Sequence, residues 1–256
     1  MIPALMPTPK RIYEEELLDA GVGTDDDVAK NLQDLRRVNK WLGGTRAILT
    51  ALSELLTTQQ SKIATNPDNR REAKSVTSGD AFSLLDVGTG SADIPGAVLD
   101  WSEANGFAAE VVGVDYSARN LRVAKSKLGV RRGVQLVEAD SLALPFAERS
   151  FDFVTASLFL HHFKDEDVVK LLMSFSKIAR RAVIVNDLVR DLVPYYFARM
   201  SGPILATSFL TRNDGPVSVL RGFTRDELLG FSRSAGLDHV EIRRLFPYRL
   251  LLIAHM

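Results

Sequence analysis

Between Thr24 and about residue 60 the apolar side chains recur every three or four positions. Val28, Leu32, Leu35 and Leu42 form one such set, and Ile48, Leu49, Leu52, Leu55 and Leu56 form a second. A repeat near 3.6 residues predicts amphipathic helix, and the helical reading extends over residues 13 to 60. Thr24, followed by Asp25, Asp26 and Asp27, supplies an N-cap and negative charge for a helix N-terminus. Gly43-Gly44 predicts a break, and Thr45 the cap of a second helix. From Gln59 to Asp80 the chain is polar, with Asn66-Pro67-Asp68 as a turn, and reads as a surface linker.

At Ser83 the pattern changes. Ser83–Val87, Glu110–Val114, Val134–Glu138, Phe151–Ala156 and Ala182–Val185 are short apolar runs that predict strands. Helical spacing lies between them: Ile94, Ala97, Val98 and Trp101, then a segment capped by Ser117 that reaches Leu128, then Val168, Leu171, Leu172 and Phe175. Strands alternating with helices imply an α/β fold, a parallel sheet with crossover helices. Residues 190 to 222 read as irregular, with Pro194, Pro203 and Pro216 among aromatic side chains. Thr224 and Glu227 form a capping box for a helix reaching about Ala235. His239–Leu245 and Arg249–Ala254 are final strands, joined closely enough by Phe246-Pro247-Tyr248 to be a hairpin. The chain thus divides into a helical N-terminal cap and linker over residues 1–80 and an α/β domain over 81–256. A lid insertion is expected at about 190–222.

Composition narrows the function. At 256 residues the chain can bury roughly 70–75% of its unfolded surface, enough for a full core. Lys and Arg number 32, and so do Asp and Glu. A protein that tracks phosphates carries a basic excess, so nucleic acid is disfavoured as a partner. The absence of cysteine removes disulfides, thiol nucleophiles and thiolate metal sites, and no metal is expected; it suits a cytoplasmic protein. No run of about 18 apolar residues predicts a membrane span. MIPALMPTPKR has three prolines and no charged-then-apolar order, so it reads as an irregular arm, not a secretory signal.

The chemistry centres on LLDVGTGSADIP, Leu84 to Pro95. Gly88, Thr89 and Gly90 follow the first strand, where ligands of a doubly wound sheet bind. A dinucleotide fingerprint would place a third glycine at position 93, but Asp93 stands there. A carboxylate would repel a pyrophosphate by about 1–4 kcal/mol at a few ångströms, and would favour a ligand bearing a cationic amino group. S-adenosylmethionine meets that description. The plainer alternative is that Asp93 stabilises a helix N-terminus. Further along, VVGVDYS puts Asp115 past the second strand, where an acid accepts bonds from ribose hydroxyls. VEADSLALPF puts Asp140 and Ser141 past the third, within reach of an adenine amino group. FDFVTASLFLHHF ends the fourth strand at Ser157.

The motifs DVGTGSAD, VVGVDYS, EADSLALPF and SFDFVTASLFLHHF, in that order and spacing, resemble the class I S-adenosylmethionine-dependent methyltransferases. The likeness is greatest to the small-molecule branch with its quinone and polyketide enzymes, and it covers Ser83 to about Asp187. It implies a doubly wound sheet of seven strands in the order 3-2-1-4-5-7-6, the last antiparallel. It implies S-adenosylmethionine as cofactor, S-adenosylhomocysteine as product and a small-molecule acceptor. By matching positions, Gly88, Thr89 and Gly90 would contact the methionine end, Asp115 and Tyr116 the ribose and adenine edge, and Asp140 and Ser141 the adenine. Ser157 would be the methyl-facing strand end. Asp86 and Asp93 flank the loop and would orient N–H groups or water.

For a phenolic or enolic acceptor a base must remove a proton. His161 and His162 follow the fourth strand and are the base candidates; a structural role is the alternative for each. Trp41, Tyr13, Tyr195, Tyr196 and Phe209 are expected in ordinary core packing or around an aromatic pocket. Arg190, Arg212 and Arg221 are expected at the surface, or on an acidic acceptor. Asn186-Asp187 ends the fifth strand on the ligand side. Two rival functions remain. A nicotinamide-dependent oxidoreductase is opposed by Asp93 and by the lack of a Tyr-x-x-x-Lys pair. A non-catalytic S-adenosylmethionine-binding partner protein would keep the same loop.

Overall fold

A computed structural model describes residues 8–65 and 81–256, with the side chains of 58–65 left aside. Seven strands form one sheet: β1 (Ala81–Val87), β2 (Ala108–Asp115), β3 (Val134–Glu138), β4 (Phe151–Ser157), β5 (Ala179–Leu188), β6 (Val240–Leu245) and β7 (Arg249–His255). Their order is β3-β2-β1-β4-β5-β7-β6. The first five run parallel, and β7 is antiparallel to both β5 and β6. The order reverses beside β1, so the ends of β1, β2 and β4 frame a crevice.

Both faces are covered, which is why the strands read as continuous apolar runs. Neighbouring residues go to opposite sides. Leu84, Phe153, Ile184 and Leu251 pack with Ile48 and Leu52 of α2 (Gly44–Thr65) and with Val98 of α3 (Asp93–Ala104). Leu85, Val154, Val185 and Leu252 pack instead with Leu171 and Phe175 of α5 (Asp165–Ile178) and Leu228 of α8 (Arg225–Ser234). Ser117 caps α4 (Ala118–Leu128) as expected, accepting from the Asn120 N–H. Thr224 and Glu227 make the expected capping box.

The helical readings need four corrections. Helix α1 (Asp25–Trp41) begins after the Thr24 cap, and residues 13 to 24 are loop and turn. Thr45 does not cap α2, which already starts at Gly44 and runs to Thr65, past the expected linker boundary at Gln59. The rest of that linker, 66–80, lies outside the described residues, as do residues 1–7 of the arm. Residues 190–222 are not irregular: they form α6 (Leu192–Leu205) and α7 (Phe209–Arg221). Pro194 falls in the first turn of α6, where its missing N–H costs nothing. Pro203 and Pro216 lie inside the helices. Side-chain caps from Asp191 and Ser208 start the two helices, a signal the prolines hid.

Two buried acids bind this helical layer together. Asp34 of α1 accepts from the N–H groups of Thr207 and Ser208 and from the Thr207 hydroxyl. Asp214 of α7 accepts the Leu17 and Leu18 N–H groups and so docks the N-terminal arm. Among the described residues, no helix is long and apolar enough to cross a membrane.

Candidate active site

The loop after β1 is held from below and from the side. Gly88 (φ 72°) and Gly90 (φ 53°) are in the left-handed region that favours glycine. The Thr89 N–H donates to Val114 O at 2.8 Å, and the Gly90 N–H to Asp115 Oδ2 at 2.8 Å. Beneath the loop, Asp86 is buried and accepts from the hydroxyls of Thr89 and Thr155, each at 2.8 Å. Burial pushes its carboxyl up to about 7 against those two hydrogen bonds. The glycine at 88 also has a packing reason: a Cβ there would lie 2.1 Å from a Phe159 ring carbon.

Asp115 is a hub. Its Oδ1 accepts the Ser117 N–H at 2.9 Å and Asn120 Nδ2 at 3.1 Å. With three donors on a group of about four lone-pair sites, it has room for one more. Burial raises its carboxyl, and the Ser117 and Gly90 N–H groups oppose that. Tyr116 beside it is exposed. Asp140 is exposed and accepts the Leu142 N–H at 2.9 Å, capping a short 3-10 turn that holds the buried Ser141. The Ser157 hydroxyl accepts from Asn186 Nδ2 at 2.9 Å.

Asp93 opens α3 and accepts from Asn39 Nδ2 of α1 at 3.1 Å. Burial raises its carboxyl, with Asn39, Arg36 and Lys127 acting the other way. It therefore ties the end of α1 to the start of α3. Asn39 was not visible as a site residue in the sequence. Its position on the buried face of α1, in phase with Asn31 and four residues from the apolar Leu35, is the signal that would have found it.

The histidines lie under the arm. His161 is buried, with Nδ1 2.6 Å from Asp187 Oδ1 and Nε2 3.7 Å from Glu16 Oε1. His162 Nδ1 lies 2.7 Å from Asp19 Oδ2. Burial acts to lower the His162 pKa, but the Glu16 and Asp19 carboxylates overcome it and hold it at about 9. Burial acts to raise Asp187, but His161 beside it and the Leu188 N–H keep it below the usual carboxylate range. Glu16, His161 and His162 also bring one ligand atom each within 4.8 Å of one another; in this arrangement His161 Nδ1, His162 Nδ1 and Glu16 Oε1 are already engaged by Asp187, Asp19 and the Ser218 hydroxyl.

Two of the three arginines depart from expectation. Arg190 and Arg221 are not at the surface; both are buried. Arg221 donates to the carbonyls of Glu14, His161 and His162, joining arm to histidine turn. Arg190 donates to Pro9 O and Gly222 O and to both carboxylate oxygens of Glu227. Arg212 is exposed, as expected, and donates to the Ala206 carbonyl. The aromatics depart too. Trp41 is 79% exposed, and Tyr13, Tyr196 and Phe209 are also exposed, so none of these four is core packing; Tyr195 is half-buried. Among the described residues, Arg249 is a buried cation with neither Nη1 nor Nη2 in a hydrogen bond.

Residues 85–184 match the family model described as a methyltransferase domain. A demethylmenaquinone methyltransferase of Staphylococcus carnosus is 30% identical over 228 residues, which span 84% of this chain and 91% of that one. The chain belongs to the class I S-adenosylmethionine-dependent methyltransferases. The same-named enzyme of Geobacillus kaustophilus is 31% identical over 176 residues, 64% of this chain and 73% of that one. Among solved structures, human N-acetylserotonin methyltransferase in complex with SAM shares the fold with a TM-score of 0.60 at 14% identity, over 96% of this chain and 62% of that one. A SAM dependent methyltransferase from Aquifex aeolicus does so with a TM-score of 0.51 at 17% identity, over 76% of this chain and 97% of that one.

This methyltransferase is thus an enzyme that uses S-adenosylmethionine on a small molecule. The residues present fit the cofactor. Asp115, beside the loop and with accepting capacity to spare, suits the hydroxyl donors of a nucleoside. Among the described residues three buried amide oxygens have no hydrogen-bond partner, Asn31 Oδ1, Asn39 Oδ1 and Asn186 Oδ1. The side chains of the last two meet at Gly44, and an ammonium group is a donor that would satisfy such acceptors.

Proposed function

We propose that this methyltransferase methylates a carbon or oxygen atom of a quinone-like or other aromatic acceptor in its reduced, hydroxyl-bearing form. The observation that carries the reading is the full-length likeness to a demethylmenaquinone methyltransferase, 91% of which is matched. Bound S-adenosylmethionine supplies a methyl group already activated by its sulfonium, so the protein has to align, exclude water and handle one proton.

In this reading Gly88, Thr89 and Gly90 hold the methionine end, Asp115 and Tyr116 the ribose and adenine edge, Asp140 and Ser141 the adenine. The spare accepting capacity of Asp115 supports its part. Ser157 stands at the methyl-facing strand end. Asp86 and Asp93 act on the protein: one braces the loop, the other fastens α1 across it. The arm with α1, α2, α6 and α7 forms the cover over the crevice, and the 190–222 segment is its lid.

Of the two histidines, His161 is assigned the proton. A group titrating at about 9 is a cation at neutral pH, so His162 has no lone pair to offer. The Asp187 carboxylate favours an N–H at Nδ1 of His161, which leaves Nε2 as acceptor. The acceptor's hydroxyl proton passes to Nε2, leaving a phenolate that directs electron density to its oxygen and to the neighbouring ring carbon. Methylation at oxygen ends there. At carbon the ring C–H proton is then lost and the oxygen takes a proton back, so that one proton is released in either case.

The test is incubation of the purified protein with methyl-labelled S-adenosylmethionine and a reduced, ring-demethylated naphthoquinone. Mass spectrometry should find the label on the ring or its oxygen, with S-adenosylhomocysteine released in equal amount. Absence of labelled product from every dihydroxynaphthalene offered, despite cofactor binding, refutes the acceptor class.

A further inference from the structure

Strand alternation lines up a row of polar side chains at the carboxyl edge of the sheet, on its α2 face. Asp86 pairs in register with Thr155, and Ser157 with Asn186. Arg249 lies opposite Leu188 on the antiparallel β7, two residues beyond Asn186 and on the same face. The junction of α1 and α2 closes over this row: a Cβ at Gly44 would sit 2.6 Å from Asn39 Oδ1 and 3.0 Å from Asn186 Nδ2.

Arg249 ends the row, 1% exposed, with neither Nη1 nor Nη2 in a hydrogen bond. The carboxylates nearest in effect, Asp187 and Asp93, act on it through space only; they are bonded to His161 and Leu188, and to Asn39. A buried charge is ordinarily paired. A guanidinium fork with two open donors matches the paired lone pairs of a planar oxyanion.

We propose that Arg249 binds the anionic oxygen of the methyl acceptor, whether phenolate, enolate or ring carboxylate, and so selects acidic aromatic acceptors. The inference deepens the function proposed above and rests on it. The competing occupant is the cofactor's own carboxylate, because Asn186, whose side-chain oxygen is one of those matched to its ammonium, is a neighbour of Arg249 in this row. The S-adenosylhomocysteine affinity in the experiment below tells the two anions apart. The acceptor is favoured because the loop, Asp115 and Asp140, which take the rest of the cofactor, belong to the ends of β1, β2 and β3, on the other side of β4 and β5 from β7.

The experiment compares wild type, Arg249→Gln and Arg249→Lys, each saturated with S-adenosylhomocysteine. Each is titrated calorimetrically with 2-hydroxy-1,4-naphthoquinone, an anion at neutral pH, and with neutral 1,4-naphthoquinone. A chain without cysteine offers no thiol to trap either quinone. Wild type should prefer the anion by tenfold or more, on the order of 1.4 kcal/mol. The Gln variant should lose that preference and the Lys variant keep part of it, with S-adenosylhomocysteine affinity unchanged within about twofold in all three. Preference surviving in the Gln variant, or missing from wild type, overturns the inference. So does a loss that falls on S-adenosylhomocysteine, because the cofactor carboxylate would then be the occupant. If the Gln variant does not fold, the Lys variant decides: it keeps the charge, lacks the fork and should lose several-fold, and an unchanged preference counts against us. The two readings fail separately. Anion preference without methyl transfer sinks the function and keeps Arg249; transfer without preference does the reverse.

Discussion

Asp115 Oδ2 accepts the Gly90 N–H at 2.8 Å, while its Oδ1 accepts the Ser117 N–H at 2.9 Å. One carboxylate therefore joins the loop after β1 to the first turn of α4. Asp115→Ala should release both contacts and weaken S-adenosylhomocysteine binding by about 1–3 kcal/mol, roughly 5- to 150-fold. Calorimetry reads this directly, and an unchanged dissociation constant would remove Asp115 from the cofactor site.

Gly88 answers to two constraints at once. Its φ of 72° penalises any side chain, and Phe159 occupies the Cβ direction. Gly88→Ala should cost about 2–4 kcal/mol of stability in urea unfolding. Adding Phe159→Ala should return the packing part of the loss and leave the backbone part, a non-additivity that a double-mutant cycle measures. Strict additivity would mean that the ring is not what crowds position 88.

His162 makes stability depend on pH. Its folded pKa of about 9 exceeds the ordinary 6.5. A raised pKa in a base stabilises fully below about 6.5 and is lost as pH rises through about 9. The shift corresponds to at most about 3 kcal/mol. His162→Gln should therefore be most destabilised near pH 6, and its urea midpoint should converge on wild type by about pH 9.5. A difference that stays constant across that range would place the effect in packing instead of charge.

His161 and Asp187 should fail together. His161→Asn should lower kcat by about 10²–10⁴ with cofactor affinity kept. Asp187→Asn should do much the same by letting the imidazole adopt the other tautomer. Single-turnover rates at saturating S-adenosylmethionine check both. A kcat within about threefold of wild type in the His161 variant would return this pair to a purely structural role.

Much of this was readable along the chain, because local signals carry it. Strand alternation, the Ser117 and Thr224 caps, and the Gly88–Gly90 loop act over a few residues. The two helices over 192–221 were missed since Pro203 and Pro216 argue locally against helix; caps from Asp191 and Ser208 and packing against one another outweigh them. The fate of the arginines was missed for a different reason. Nothing next to Arg190 or Arg221 in the chain tells that their donors meet carbonyls some 30 to 200 residues away.

Residue order alone settled the α/β class, the acidic glycine loop and the kind of nucleoside it suits, since each rests on neighbours along one strand, one turn or one helix. Folding settled which charges stay free. Arg190 and Arg221 are consumed by contacts distant in sequence, Asp93 turns to Asn39, and His162 is held as a cation between acids of the arm. Arg249 alone of these is left buried and unbonded. The cost of burying a charge depends on partners that only a three-dimensional arrangement supplies.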